Sequence, residues 1–279
     1  MELQAALQCL HLSSPEPLQA ARFYCSAYGM ALETLADGYQ CSGPARCVQV
    51  SSGPANQLKF AHFALSSHSA WETFAARVSG LDQQEPPAEF ARQGAAIAVQ
   101  DPDGNRMVFT PPASPGSASA VNPAPALPPA TLQHFALRTA QLPAMLDFYT
   151  LQLGFVLSDA VKDESGTLRA AFLRTNHLHH ALALFAAPVA CFDHQSFEAP
   201  DWASMKAWGD HMAALQAPIV WGIGRHGPGN DVFFMVRDPD GNLAEISSEI
   251  EHCAPDRTAG LWPHEERTLN LWGKAILRS

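Results

Sequence analysis

Apolar residues along the chain follow two rhythms, and the same succession of rhythms occurs twice. A short apolar run, Leu7 to Leu12 in the first half and Leu132 to Leu137 in the second, predicts a strand in each. Each run is followed by apolar residues at helical spacing. Leu18, Ala21, Phe23 and Tyr24 predict one helix, and Leu142, Met145, Leu146 and Tyr149 predict its counterpart. Alternating segments at Ala171 to Arg174, Ala181 to Phe185 and Val232 to Val236 predict further strands in the second half. Between apolar runs in both halves stands the pentapeptide Asp-Pro-Asp-Gly-Asn, at Asp101 to Asn105 and again at Asp238 to Asn242. Its Asp-Gly step predicts a hairpin turn, because glycine accepts positive φ at no steric cost. The chain therefore reads as a duplication of the α+β class, each copy made of a strand, a helix and several mostly antiparallel strands.

The copies occupy residues 1–112 and 131–279. A proline-, alanine- and serine-rich stretch, 113–130, lies between them, and its composition suits a stiff connector better than a helix or a ladder. With 279 residues and 47% hydrophobic content the chain can bury a sizeable core. A formal charge of −10 and the lack of any Lys/Arg cluster argue against nucleic-acid binding. The sequence offers no apolar run long enough to span a membrane and no signal-peptide pattern after Met1, so no membrane partner and a cytoplasmic location are expected. Six cysteines, Cys9, Cys25, Cys41, Cys47, Cys191 and Cys253, show no C-x-x-C spacing, which predicts free thiols serving as packing residues.

One difference between the copies carries chemistry. Seven residues after the first Asp of the pentapeptide the second copy has Glu245, where the first has Val108. With His134 on the first strand of the second copy and His194 on a later one, Glu245 completes a set of two imidazoles and one carboxylate. Such a set on one face leaves open coordination positions, the arrangement of non-haem Fe(II) oxygen chemistry. Strand alternation allows three neighbouring strands to aim these side chains at one point.

Around these residues the second half resembles the catalytic module of the type I extradiol dioxygenases, and both halves resemble the βαβββ modules of the vicinal oxygen chelate superfamily. His134 in Gln-His-Phe-Ala-Leu, His194 in Phe-Asp-His-Gln-Ser-Phe-Glu and Glu245 in Asn-Leu-Ala-Glu-Ile match that family's metal ligands. Gly224-Arg225-His226 resembles its Gly-Arg-His signature, 19 residues before Glu245, and His180 lies 14 residues before His194, where the family keeps a catalytic histidine. The resemblance implies two tandem modules of paired βαβββ units, with mixed, mostly antiparallel sheets curved around a cavity, in a homo-oligomer. It implies Fe(II), or Mn(II), binding an aromatic diol and O2, with ring opening beside the hydroxyl pair. The first copy has His11 and His62 at what read as the two histidine positions, and without the glutamate it is expected to hold no metal.

His180 is the candidate base and proton donor, since an imidazole titrates near pH ~6.5, and His179 is its rival. His226 is assigned to catalysis and to hydrogen bonding with a substrate oxygen. Trp221, Ile223, Phe233 and Met235 are expected to offer apolar surface around the substrate, with Trp262-Pro263 and Leu271-Trp272-Gly273 folding over it. Arg225, Arg237 and Arg267 are candidates for a substrate carboxylate. Met235 stands where the resembled family has a tyrosine, and a thioether donates no hydrogen bond. Two other functions remain open at this level: another metal-assisted reaction such as isomerisation or lysis, and ligand sequestration without chemistry.

Overall fold

The computed structural model describes residues 3–112 and 127–276; most of the expected connector, 113–126, lies outside the described residues. The first sheet is built from two strand-helix-strand units. One contains β1 (Ala5–Ser14), α1 (Pro17–Tyr28), β2 (Ala31–Leu35), β3 (Gly38–Gly43) and β4 (Arg46–Ser52). The other contains β5 (Gln57–Leu65), α2 (His68–Val78), β6 (Gln83–Gln84), α3 (Ala88–Gln93), β7 (Ile97–Gln100) and β8 (Arg106–Thr110). They join through antiparallel β1 and β5 into eight strands, ordered β2-β3-β4-β1-β5-β8-β7-β6.

The second sheet repeats the plan. β9 (Thr131–Thr139), α4 (Leu142–Asp147), β10 (Val156–Lys162), β11 (Leu168–Arg174) and β12 (Leu182–Ala186) form one unit. β13 (Cys191–Glu198), α5 (Trp202–Ala214), β14 (Trp221–Arg225), β15 (Val232–Arg237) and β16 (Leu243–Ser248) form the other. A closing segment adds β17 (Gly260–Pro263) beside β10 and a short helix, α6 (Glu266–Leu269). The order is β14-β15-β16-β13-β9-β12-β11-β10-β17, with β13 antiparallel to β9 and parallel to β16.

Alternation sorts each strand of the second sheet into two sets. Phe135, Leu137, Leu173, Leu182, Leu184, Phe234 and Ile246 join the main core. Their sequence neighbours Ala136, Phe172, Ala183, Phe185, Phe233, Met235 and Leu243 form a separate apolar cluster on the opposite face, beneath α6. The candidate site lies on that second face.

The two Asp-Pro-Asp-Gly-Asn turns also join the modules. In each, the first aspartate caps the turn by accepting from backbone N–H groups two and four residues on, and Gly104 and Gly241 take φ of 89° and 88°. Tyr24 of the first module donates to Asp238 of the second (2.9 Å), and Tyr149 of the second donates to Asp101 of the first (2.8 Å). Both tyrosines are fully buried, so each hydroxyl depends on the other module's turn. Tyr24→Phe is expected to lower the unfolding free energy by ~1 to 3 kcal/mol, the cost of leaving a buried acceptor short of a donor. A urea midpoint equal to that of the parent protein would show that the bond contributes nothing.

Two sequence expectations change here. Cys9 and Cys47 are not free thiols: parallel β1 and β4 set Leu10 opposite Val48, which brings Cys9 and Cys47 to a Cα separation of 4.6 Å, and they form a disulfide. A sequence separation of 38 conceals that adjacency. The helix read from Leu142 to Tyr149 is α-helical only to Asp147, then continues as a π-helical turn, Phe148–Leu153. The wider turn faces Phe148, Tyr149 and Leu153 inward together. Among the described residues no helix is long and apolar enough to cross a membrane.

Candidate metal and catalytic site

Three neighbouring strands carry the candidate ligands. His134 on β9 lies opposite Ser196 on β13, and Ser196 lies opposite Glu245 on β16. Residues directly paired across strands project from one face, so these three form a row, and His194 joins it two residues before Ser196. The two Nε2 atoms are 3.3 Å apart, and each is 3.9 Å from a carboxylate oxygen of Glu245. Donors held 2.0–2.2 Å from one ion stand about 3 to 3.5 Å apart, so an inward shift of a few tenths of an ångström would complete coordination.

The protonation pattern fits that use. His134 Nδ1 bonds the Gln133 side-chain oxygen, and His194 Nδ1 bonds Asp193 Oδ1 at 2.6 Å. Both acceptors take a proton from Nδ1, so in the neutral ring each Nε2 keeps its lone pair on the side of Glu245. Burial, reinforced by His194 and His226, holds the His134 pKa well below that of an ordinary imidazole, so the ring is neutral. The same row holds Glu245 through Ser196 Oγ at 3.0 Å. Two imidazoles and a buried carboxylate suit a divalent ion that accepts nitrogen and oxygen ligands.

A cleft opens over this row. His180 lies in the connection just before β12, and its ring centroid is 4.3 Å from that of His134. His179 does not line the cleft; its Nε2 stands 3.1 Å from Asp159 Oδ2. His226 stacks flat on Phe233 at 3.8 Å, and its Nδ1 donates to the Leu269 carbonyl at 2.6 Å. In the neutral ring its Nε2 then carries the lone pair, 4.0 Å from Glu245. The remaining lining is apolar: Phe172, Ala183, Phe185, Trp221, Pro228, Met235 and Leu269.

Residues 131–246 match the model of the Glyoxalase/Bleomycin resistance protein/Dioxygenase superfamily, a span that takes in His134, His194 and Glu245. This segment is a domain of that superfamily. Metapyrocatechase 2 of Cupriavidus necator is 30% identical over 152 residues, 53% of this chain and 46% of that protein, so the match spans about half the length of the relative. The fold extends over the whole chain. A halotolerant catechol dioxygenase, BphC, superposes with a TM-score of 0.80 at 20% identity, covering 98% of this chain and 94% of the other. The Mn(II)-bound glyoxalase of Novosphingobium aromaticivorans superposes at 0.78 with 22% identity, covering 96% and 90%.

Within the superfamily domain most sequence-selected residues meet at the cleft, but not all. Met235 lies directly opposite both Trp221 and Glu245 in the ladders, so all three share the cleft face. Phe233 does not line the cleft; it supports the His226 ring. Ile223 is half-exposed, away from it. None of the three arginines lines the cleft: Arg225 bonds the Asn230 carbonyl and Glu249 and lies over Trp272, Arg237 bonds the Gly241 carbonyl, and Arg267 is exposed. Of the closing segment, Leu269 covers the cleft, Trp262 bonds Asp159, and Trp272 stays half-exposed against Trp202.

Asp231 was missed by the sequence reading. It is fully buried with no hydrogen bond to either carboxylate oxygen, and with His226 and Glu245 it forms a cluster whose ligand atoms lie within 4.8 Å of one another. Burial pushes its carboxyl up to about 7, with His226 opposing and Glu245 adding to the rise. Its position five residues after His226, past Gly227-Pro228-Gly229, reads in sequence as a solvated loop.

The first module has lost more than its glutamate. Val108 lies opposite His62 as Glu245 lies opposite Ser196, so His62 corresponds to Ser196. The positions corresponding to His194 and His134 are then Phe60 and Cys9, and His11 corresponds to Ala136. The reading of His11 and His62 as ligand counterparts was thus two residues out of register. The sequence held the signal: Cys9 precedes Tyr24 by 15 residues, as His134 precedes Tyr149. His11 Nε2 bonds Ser51 Oγ, His62 Nε2 bonds Thr110 Oγ1, and Phe90 of α3 packs on His62 and Phe60. His11→Ala with His62→Ala is expected to leave the bound metal at about one ion per chain, by metal analysis after gel filtration. Loss of metal in that variant would restore a role for the first module.

Proposed function

We propose that this protein is a divalent-metal-dependent extradiol dioxygenase that uses O2 to open the ring of a catechol-type diol beside its hydroxyl pair. The convergence of two imidazoles and one carboxylate on a buried face, beside two further histidines, carries this reading. His134, His194 and Glu245 would hold Fe(II), which supplies, when bound, Lewis acidity toward the diol oxygens and the redox chemistry that O2 requires.

The chain's own groups divide the remaining work. His226 Nε2, an acceptor by virtue of its bond to Leu269, takes a hydrogen bond from one diol hydroxyl. His180 accepts the proton a diol hydroxyl releases and returns it later. Its pKa is well below an ordinary histidine's, chiefly through burial, so it begins neutral. Phe172, Phe185, Trp221 and Met235 flank the ring and exclude water. Met235 donates no hydrogen bond, which leaves the histidines as the proton-carrying groups.

With no lysine or arginine lining the cleft among the described residues, the substrate ring carries apolar substituents or none. Burying an unpaired carboxylate there would cost several kcal/mol. The test is aerobic turnover by the ferrous protein of catechol, 4-methylcatechol and 3,4-dihydroxyphenylacetate, followed by O2 uptake and by the yellow ring-fission product. The neutral diols are expected to exceed the carboxylated one in kcat/KM by ~10²-fold or more. Absence of O2 uptake with every diol sinks the proposed reaction, and preference for the carboxylated diol sinks the substrate class.

A further inference from the structure

The geometry points to His179 and Asp159 as a buried pair that positions His180 and sets which of its ring nitrogens faces the cleft. Three side chains stand in line. Asp159 Oδ2 lies 3.1 Å from His179 Nε2, close but not aligned as a hydrogen bond, and His179 Nδ1 lies 3.1 Å from His180 Nδ1. All three are buried, with exposures of 1%, 0% and 3%. The inference rests on the ring-cleavage reading only for what His180 does with its proton; the arrangement itself does not.

Proton bookkeeping along the line leaves one consistent neutral state. Burial works against the charge of Asp159, but bonds from His179, Trp262 and Arg257 outweigh it and hold the carboxyl below its usual range, so Asp159 is a carboxylate and an acceptor. A neutral His179 ring that places its proton on Nε2, beside this carboxylate, has Nδ1 as an acceptor. The hydrogen between the two imidazoles belongs to His180 Nδ1. His180 Nε2 is left with its lone pair toward the cleft, the form that can take a proton from a substrate hydroxyl. When it does, the positive charge formed on His180 stands one imidazole away from the Asp159 carboxylate.

The surroundings hold the line in place. Asp159 is fixed by the Gly260 N–H (3.0 Å), Trp262 Nε1 (2.7 Å) and Arg257 Nη2 (3.0 Å), so the closing segment is tied to the same carboxylate. The His179 backbone N–H donates to the Glu251 carbonyl at 2.9 Å. Gly229, at φ +82°, closes the other side, where an added Cβ would stand 3.1 Å from His179 Nδ1 and 3.2 Å from His180 Cε1.

The direct test is the histidine nitrogen NMR spectrum of the protein loaded with diamagnetic Zn(II). His180, assigned through a His180→Gln variant, is expected as the Nδ1–H tautomer; a proton found on Nε2 overturns the inference without any mutation at His179. His179→Leu, which removes the acceptor, is expected to let the other tautomer appear and to lower kcat by ~10 to 100-fold with KM changed by less than about twofold. His179→Asn, whose Oδ1 can stand in for Nδ1, is expected to recover most of that loss. Equal kcat in the Leu variant and the parent, or no recovery with Asn, also overturns it. If His180 has the stated tautomer but no diol is cleaved, the ring-cleavage reading fails and the positioning pair stands.

Discussion

Replacing Glu245 with alanine is expected to abolish metal retention and, with it, ring cleavage, while the fold survives. Glu245 is the only carboxylate in the row formed by His134, Ser196 and His194, and it alone offsets the charge of a divalent ion in the buried set. Two imidazoles 3.3 Å apart would remain, a pair that binds divalent ions weakly in water and leaves most of the charge uncompensated in an apolar cleft. The loss of affinity should exceed ~100-fold, enough to strip the ion during gel filtration. Ser196 and Ser247 hydroxyls, 2.8 Å apart, satisfy each other after the carboxylate is gone, so the vacated space leaves no polar group stranded on β13. His134→Ala and His194→Ala should match it in metal content, by plasma emission analysis against protein concentration. Near-stoichiometric iron in a folded Glu245→Ala protein would move the metal elsewhere and end the proposed mechanism.

What was legible in the sequence follows the range of the interactions involved. The repeated turn, the strand and helix rhythms and the alternating core are local, and each appeared near its expected position. Glu245 was legible from its fixed distance to the repeated Asp-Gly turn, and His134 and His194 from short motifs that resemble a family's metal ligands; period-two alternation lets all three share a face. Properties that depend on register between distant strands were not. His11 and Cys9 differ by two residues, so both satisfy the parity of the face; the 15-residue spacing to Tyr24 hints at Cys9, and the pairing of β5 with β1 and β8 places Cys9 at the His134 position. The Cys9–Cys47 disulfide required knowing that β1 and β4 are neighbours. Nothing near His179 and His180 in the chain reveals that one faces Asp159 and the other the cleft. Leu269 reaches the cleft only because β17 adds to the sheet edge beyond β10 and returns α6 over Trp221.

His180→Phe is expected to retain the metal and to bind the diol, yet to slow ring opening by ~10² to 10⁴-fold, the range lost with a general acid/base. The substitution is mild in volume and polarity where it is made. His180 is 3% exposed and packs edge-on to Phe172 at 5.3 Å and against His134 at 4.3 Å, contacts that a phenyl ring can keep. It removes the only imidazole lining the cleft that neither belongs to the metal row nor bonds the Leu269 carbonyl. His226 is a poor substitute, because its Nδ1 proton is committed to that carbonyl and its ring is clamped on Phe233. The phenyl ring also leaves His179 Nδ1 without its 3.1 Å partner, so some stability will be lost, by ~1 to 3 kcal/mol. A variant limited by folding would show depressed metal content and a lowered melting temperature in proportion to the lost activity. The acid/base role predicts instead full iron content, a KM close to that of the parent, and a kcat that falls alone. A folded, iron-replete His180→Phe protein with unchanged kcat would show that the proton leaves the diol by another route, and that the buried line from Asp159 through His179 has no catalytic consequence.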